Sequence, residues 1–332
     1  MTDQAESGAP NPVRRGLILG AAAIGAGLTG EARAQGTGVP SAGPIQPGRG
    51  SALNGKAAVV TGAARGIGRA IAVEMAANGA DIVALDICGP VSPASDAKPA
   101  TPADLQDTAD KVRAFGRRCN AVQADIRDIG RLRDVAAQTV SEFGKIDIVV
   151  ADAAIQRWTP LLEMQDSDWR DVIDNNLNGT ANTIRAFAPA MVERKYGRII
   201  VLSSMQGKHG TKDASSYSAS KWGILGLMKS AAMELGQYGI TVNALIPGLV
   251  ETPLTTYPKR FSHAIGEQRP NPPPDPSPQE AWDVRAPTVP LKVGWLQPED
   301  ISPAAVFLAS DAAAMVTGAE YEVTGGDSAK DI

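Results

Sequence analysis

Cysteine and histidine are scarce in this chain: Cys88, Cys119, His209 and His263 are all it has in 332 residues. Scattered as they are, they cannot supply the ligand cluster that holds a zinc ion, so no metal site is expected. So few histidines also leave little room for a Ser/His/Asp hydrolase, and no Gly-x-Ser-x-Gly turn occurs. Excess positive charge is missing as well. With 32 Lys and Arg against 36 Asp and Glu the net charge is −4, which argues against nucleic acid as a partner. Hydrophobic stretches of membrane length are absent, because the apolar run Leu17–Leu28 is too short to span a bilayer. What the chain does have is 43% hydrophobic residues, enough for one large core in a single domain. Redox chemistry delegated to an organic cofactor fits this composition best.

The first 34 residues read as an address. Arg14-Arg15 precede a mild Gly/Ala-rich segment, and Ala32-Arg33-Ala34 is a small-x-small cleavage pattern. This order resembles a bacterial twin-arginine export signal, with Val13 where such signals usually carry Ser or Thr. A signal peptide over 1–34, a flexible linker over 35–51, a folded domain over 52–328 and a tail over 329–332 are therefore expected. The corresponding location is exported and periplasmic; the alternative is a cytoplasmic protein whose N-terminus is merely disordered.

Folded sequence begins with a short apolar strand, Lys56–Thr61. It runs into Gly62-Ala63-Ala64-Arg65-Gly66-Ile67-Gly68 and then a helical pattern through Ile71 and Met75, closed by Asn78-Gly79. Glycines at such a turn let backbone amides and a helix N-terminus approach a pyrophosphate. The next strand, Asp81–Asp86, ends in an acid about twenty residues on, where a carboxylate binds an adenosine ribose diol. After Asp86 the path to the next strand, near Ala121–Asp125, is longer than a βαβ step needs. Thr101 caps a helix through Phe115 with Pro102 at its first position, so residues 89–101 are left to form a flap over the adenosine end of a cofactor, or a tolerated surface insertion.

Helix 129–143 and strand 146–150 continue the alternation, and the small Ala151-Asp152-Ala153-Ala154 permits close approach of backbone to ligand. A long helical pattern from Asp168 to Glu193 is interrupted at Asn175–Gly179. Strand Arg198–Ser203 then delivers Ser204, a helix runs from Tyr217 to Leu235, and strand Ile240–Ile246 follows. Strands alternating with helices mean a mostly parallel, doubly wound α/β sheet. Residues 249–298 lose periodicity and are rich in proline, with Tyr257, Phe261, Trp282 and Trp295 nearby; a substrate lid is expected there. Helix 299–309 and strand 319–324 complete the chain.

Tyr217 and Lys221 stand at i and i+4, on one face of a helix, and Ser204 lies 13 residues earlier at a strand's carboxyl edge. Taken with Thr61–Gly68, Asn176 and Pro247-Gly248, these residues resemble the short-chain dehydrogenase/reductase family over 52–328. The resemblance implies a Rossmann sheet, commonly in a homotetramer, and an NAD cofactor. It implies Tyr217 as general acid/base, Lys221 as holder of the nicotinamide ribose, Ser204 on the substrate oxygen and Asn176 as anchor of a proton-relay water. For the cofactor it implies Gly62, Arg65, Gly66, Ile67 and Gly68 at the turn, with Asp86 and Ile87 beside them. Asp125 and Ile126 would flank the adenine; Ala153, Tyr217, Lys221, Pro247, Gly248 and Val250 would line the remainder, and Thr252 would reach the carboxamide. A lysine ammonium within about 4 to 6 Å would favour the phenolate of Tyr217, and a lowering by about three units, roughly 4 kcal/mol, would need the nicotinamide cation's help as well.

Asp86 selects NAD by repelling a 2′-phosphate, whereas Arg65 pulls toward NADP; the acid, standing in the phosphate's own place, is given more weight. Two departures stand out. Family members usually read Asn-Ala-Gly where this chain has Asp152-Ala153-Ala154. The stretched segment after Asp86, with Leu296–Ile301, resembles the mycofactocin-associated subgroup, which implies an NAD held without exchange and recycled by a redox partner. The expected activity is hydride transfer between NAD and a secondary alcohol or ketone, on an apolar or cyclic molecule if the lid aromatics face it. The alternatives are a catalytically silent NAD-binding protein of regulation or assembly, and a lyase or epimerase on the same scaffold. Cys88 and Cys119, at opposite ends of neighbouring parallel strands, would be too far apart to bridge.

Overall fold

Successive residues of a strand point to opposite faces of its sheet, so strands that are apolar at every position must be covered on both sides. The computed structural model describes residues 50–94 and 97–330; the expected signal peptide and nearly all of the linker lie outside them. The chain runs β1 (Ala57–Thr61), α1 (Gly66–Ala77), β2 (Asp81–Asp86), α2 (Pro102–Ala114), β3 (Cys119–Gln123) and α3 (Ile129–Phe143). It continues through β4 (Ile148–Ala151), α4 (Asp166–Val172), α5 (Gly179–Arg194), β5 (Gly197–Leu202), α6 (Ser215–Leu235) and β6 (Ile240–Pro247). Helices α7 (Pro258–Gly266), α8 (Pro278–Arg285) and α9 (Pro298–Ala309) precede β7 (Glu320–Val323).

All seven strands are parallel in the order β3-β2-β1-β4-β5-β6-β7, the doubly wound arrangement expected. Every residue of β1, β2, β4, β5 and β6 is buried, whereas the edge strands β3 and β7 are partly exposed. The two faces divide the core. Val60, Ile82 and Ile148 pack with Ile71 of α1, Val112 of α2 and Leu308 of α9. Val59, Val83 and Val149 pack with Leu132 of α3, Phe187 of α5 and Met228 of α6 on the other side. Strand order reverses between β1 and β4, which leaves a crevice above their carboxyl ends. Among the described residues no helix is long and apolar enough to cross a membrane.

Three expectations are corrected. Strand β3 lies at 119–123, because Gln123 pairs with Asp86 and Asp125 falls beyond the sheet. The expected break at 175–179 is instead a π-helical turn, Ile173–Asn178, joining α4 to α5 without interruption. It turns Asn175 and Asn176 inward, in keeping with the tendency of such turns to mark functional sites. The proline-rich stretch is also not irregular throughout. Pro258 and Pro278 start α7 and α8, where a missing N–H is harmless, and Ser277 with Glu280 forms a capping box. A bridge between Val250 and Leu296 closes the base of this segment.

Candidate active site

A cavity of about 580 Å³ lies over the carboxyl ends of the strands. At one end Gly62 leaves β1 with φ +69°, and a Cβ there would sit 2.9 Å from the backbone of Ala153. A Cβ on Gly68 would lie 2.3 Å from the Gly62 carbonyl oxygen. The first turn of α1 is therefore drawn against the turn from β1, and Gly62, Arg65, Gly66 and Ile67 line the cavity. Gly68 itself does not line it and packs directly beneath the turn.

Asp86 ends β2 on the same wall, its two oxygens accepting from the Ala64 amide at 3.1 Å and the Cys88 amide at 2.9 Å. Arg65 is depressed by burial, with the Asp86 carboxylate pulling the other way. Ile87, Asp125 and Ile126 also line the cavity. Burial raises the Asp125 carboxyl, but hydrogen bonds from Arg127 outweigh it and hold the group below its ordinary value. The flap expected after Asp86 contributes Gly89, Pro90, Val91, Ala97, Pro99 and Ala100 to the wall. It is tied across by Arg157, whose Nη2 donates to Ser92 Oγ at 3.0 Å. Glycine and backbone amides beside a carboxylate at a switch point fit a dinucleotide's pyrophosphate and ribose. Cys88, just past the end of β2, and Cys119, on β3 beside the start of β2, are free and buried, and burial raises both thiols to about 11.

At the other end Ser204, Tyr217 and Lys221 converge on the cavity. Ser204 lies one residue past the end of β5, after Ser203, and the α6 spacing sets Lys221 Nζ 5.5 Å from the Tyr217 ring centre. The lysine donates to the Leu202 carbonyl at 2.7 Å. Burial raises the Tyr217 phenol; hydrogen bonds with Gln156 and Ser204 and the charge of Arg260 oppose it without reversing it. In the protein alone burial outweighs the groups that favour the phenolate; the expected lowering is tied to the positive nicotinamide as well as to Lys221. Burial also lowers Lys221, to about 8, against the attraction of Asp152. Asp152 is driven the other way, raised by burial to about 7 despite the Lys221 charge.

Asn176 does not line the cavity. Its amide is committed on both sides: Oδ1 accepts from the Ile155 amide at 2.9 Å, and Nδ2 donates to the Ile155 carbonyl at 2.9 Å and to Ser220 Oγ at 3.1 Å. The side chain therefore fixes the loop after β4. Ala153, Pro247, Gly248, Val250 and Thr252 all line the cavity as expected.

Several lining residues were invisible in the sequence. Trp158 Nε1 donates to Gln156 Oε1 at 2.9 Å, which aims the Gln156 amide at Tyr217. Arg157, Arg260 and Arg285 line the wall beyond it. The lid aromatics, by contrast, turn away: Trp295 packs against Trp282 and Phe261 at centroid distances of 4.9 and 5.8 Å, and of the four only Tyr257 lines the cavity. They stabilise the lid, so they do not argue for an apolar substrate. A short run from Gln156 to Trp158 after β4 was the one signal available for these residues, and it has no distinctive spacing.

The family model for short chain dehydrogenases matches residues 56–261. An uncharacterized NAD-dependent oxidoreductase of Mycobacterium tuberculosis is 40% identical over 280 residues, covering 84% of this chain and 98% of that protein. A 3-oxoacyl-[acyl-carrier-protein] reductase of Staphylococcus aureus is 35% identical, covering 82% of this chain and 97% of that one. Among solved structures, carveol dehydrogenase from Mycobacterium avium in complex with NAD superposes with a TM-score of 0.79 at 36% identity, covering 84% of this chain and 100% of that one.

Proposed function

The chain belongs to the short-chain dehydrogenase family, and from that premise we propose that it is an NAD-dependent oxidoreductase interconverting a secondary alcohol and its ketone. The observation that carries this reading is a single cavity lined both by the Gly62–Ile67 turn with Asp86 and by Ser204, Tyr217 and Lys221. NAD, when bound, supplies or accepts the hydride. Asp86 takes the adenosine ribose and disfavours a 2′-phosphate. Ser204 and Tyr217 hold the substrate oxygen, and Tyr217 moves the proton at that atom. The Gln156 amide and the positive charge of Arg260 favour the phenolate that forms. Lys221, buried on the same wall, binds the ribose next to the nicotinamide. Purified protein incubated with a panel of secondary alcohols and ketones should change nicotinamide absorbance with NAD or NADH. Silence across the panel in both directions, with NADP and an artificial electron acceptor tested as well, would count against the reading.

The flap favours a further feature, an NAD that stays bound between turnovers and is recycled by a redox partner or second substrate. Its support is the wall formed by Gly89, Pro90, Val91, Ala97, Pro99 and Ala100 and the Arg157 to Ser92 hydrogen bond. Mass and absorbance analysis after extensive dialysis should then find stoichiometric nicotinamide, and competent but cofactor-free protein would refute it. Retention suits export by the twin-arginine route, which moves proteins already folded; an N-terminus beginning at Gln35 in exported material would establish cleavage. A homotetramer is proposed on the family's habit, to be read by sedimentation.

A further inference from the structure

Arg157, Arg260 and Arg285 are each less than 9% exposed where they line the cavity, at 3%, 5% and 7%. A buried guanidinium stays charged and needs acceptors for its N–H groups. Two of the three have several, although the Nε of Arg157 has none. Arg157 donates to the Gln156 carbonyl at 3.0 Å, to Ser92 at 3.0 Å and to Asp171 at 3.2 Å. Arg285 donates to the Gly294 carbonyl at 2.9 Å and to Asp327.

Arg260 differs. Its Nε and Nη1 have no acceptor, and among the described residues its guanidinium makes no hydrogen bond to protein. It is held by packing on the Trp158 ring at 4.4 Å and by Glu267 at 3.9 Å, which is beyond hydrogen-bond reach. Glu267 also faces Arg285 at 3.5 Å, so its charge is shared. Trp158, on which Arg260 packs, shares one buried cluster with Tyr217, and Arg260 and Tyr217 both line the cavity, at the end where the substrate oxygen would lie.

A fixed cation with unused donors, beside the acid/base tyrosine, is built to receive an anion. A planar carboxylate matches the guanidinium fork. Resting on the oxidoreductase reading above, we propose that Arg260 binds a carboxylate of the substrate, so that the enzyme acts on hydroxy acids or oxo acids.

The test compares acetoacetate and levulinate with their methyl esters on the NADH-loaded protein, by reduction kinetics and by calorimetric binding. Wild type should prefer the carboxylate by about 10- to 100-fold in kcat/KM and in affinity. Arg260→Gln should bring that ratio near one, while Arg260→Lys keeps part of it. Because the ratio is read, any effect transmitted through Tyr217 falls on both members of a pair and cancels. Should Arg260→Gln fail to fold, wild type and Arg260→Lys still decide. Equal handling of ester and carboxylate by wild type, or an unchanged ratio in Arg260→Gln, overturns the inference and leaves the oxidoreductase reading standing. Arg260-dependent carboxylate binding without turnover of either class supports the inference and tells against that reading.

Discussion

The two ends of the cavity are built from different materials. The cofactor end is backbone: the Gly62–Ile67 turn, the start of α1 and the carboxyl ends of β1 and β2, with Asp86 pinned between two amides. The substrate end is side chains brought from remote elements, Gln156 after β4, Tyr217 on α6, Arg260 on α7 and Arg285 on α8. A backbone site depends on local geometry, which a few glycines at fixed spacing suffice to secure. A side-chain site depends on how distant elements pack, and it can change its ligand without disturbing the sheet. One end is general to a dinucleotide, and the other is where a particular substrate is chosen.

Substitutions can break that division. The largest effect is expected from Tyr217→Phe, which should cut turnover by about 100- to 10,000-fold and leave NADH affinity at the wild-type level. An equal loss of NADH affinity would mean the two ends are not separable. Next is Gly68→Val, whose side chain would strike the Gly62 carbonyl. Denaturant unfolding should show a loss of about 1 to 3 kcal/mol, with NADH binding weakened; unimpaired binding would remove the cradle from the account. Asp86→Ala should shift the NADPH to NADH preference by about tenfold, the equivalent of one interaction of about 1.4 kcal/mol, measured by paired titrations.

A finer test concerns Asp152, which lies where the two ends meet. Its carboxyl binds a proton more tightly in the folded than in the unfolded chain. Folding stability should therefore fall as pH rises between 3.8, its ordinary value, and about 7. Asp152→Asn should flatten that window in thermal melts taken across pH. Lys221, deprived of the carboxylate's attraction, should drop further below its ordinary range. A melting profile with the same slope in both proteins would place Asp152 in an ordinary solvated setting.

The same contrast explains what could be read from sequence. Runs such as Asp81–Asp86 and Arg198–Ser203 declared buried strands because all their residues had to be apolar or end at an edge. The glycine turn, Asp86, Ser204 and the Tyr217/Lys221 pair were legible for the same reason: each is a short-range pattern tied to one element's end or face. The π turn at Ile173–Asn178 was not, since one extra residue in a helical turn leaves hydrophobic periodicity nearly intact. Helices α7 and α8 were hidden by prolines that start them. Arg260 gave no signal and Gln156 only a run without distinctive spacing, because the meaning of each comes from a residue far away in the chain, Trp158 for Arg260 and Tyr217 for Gln156.

The most direct measurement is an equilibrium titration of the purified, cofactor-stripped wild-type protein with NADH and separately with NADPH, followed by nicotinamide fluorescence. The account predicts saturation at one NADH per chain, tighter than NADPH. Absence of saturation, or a preference for NADPH, would contradict the dinucleotide site that Gly62, Gly66 and Asp86 are held to form.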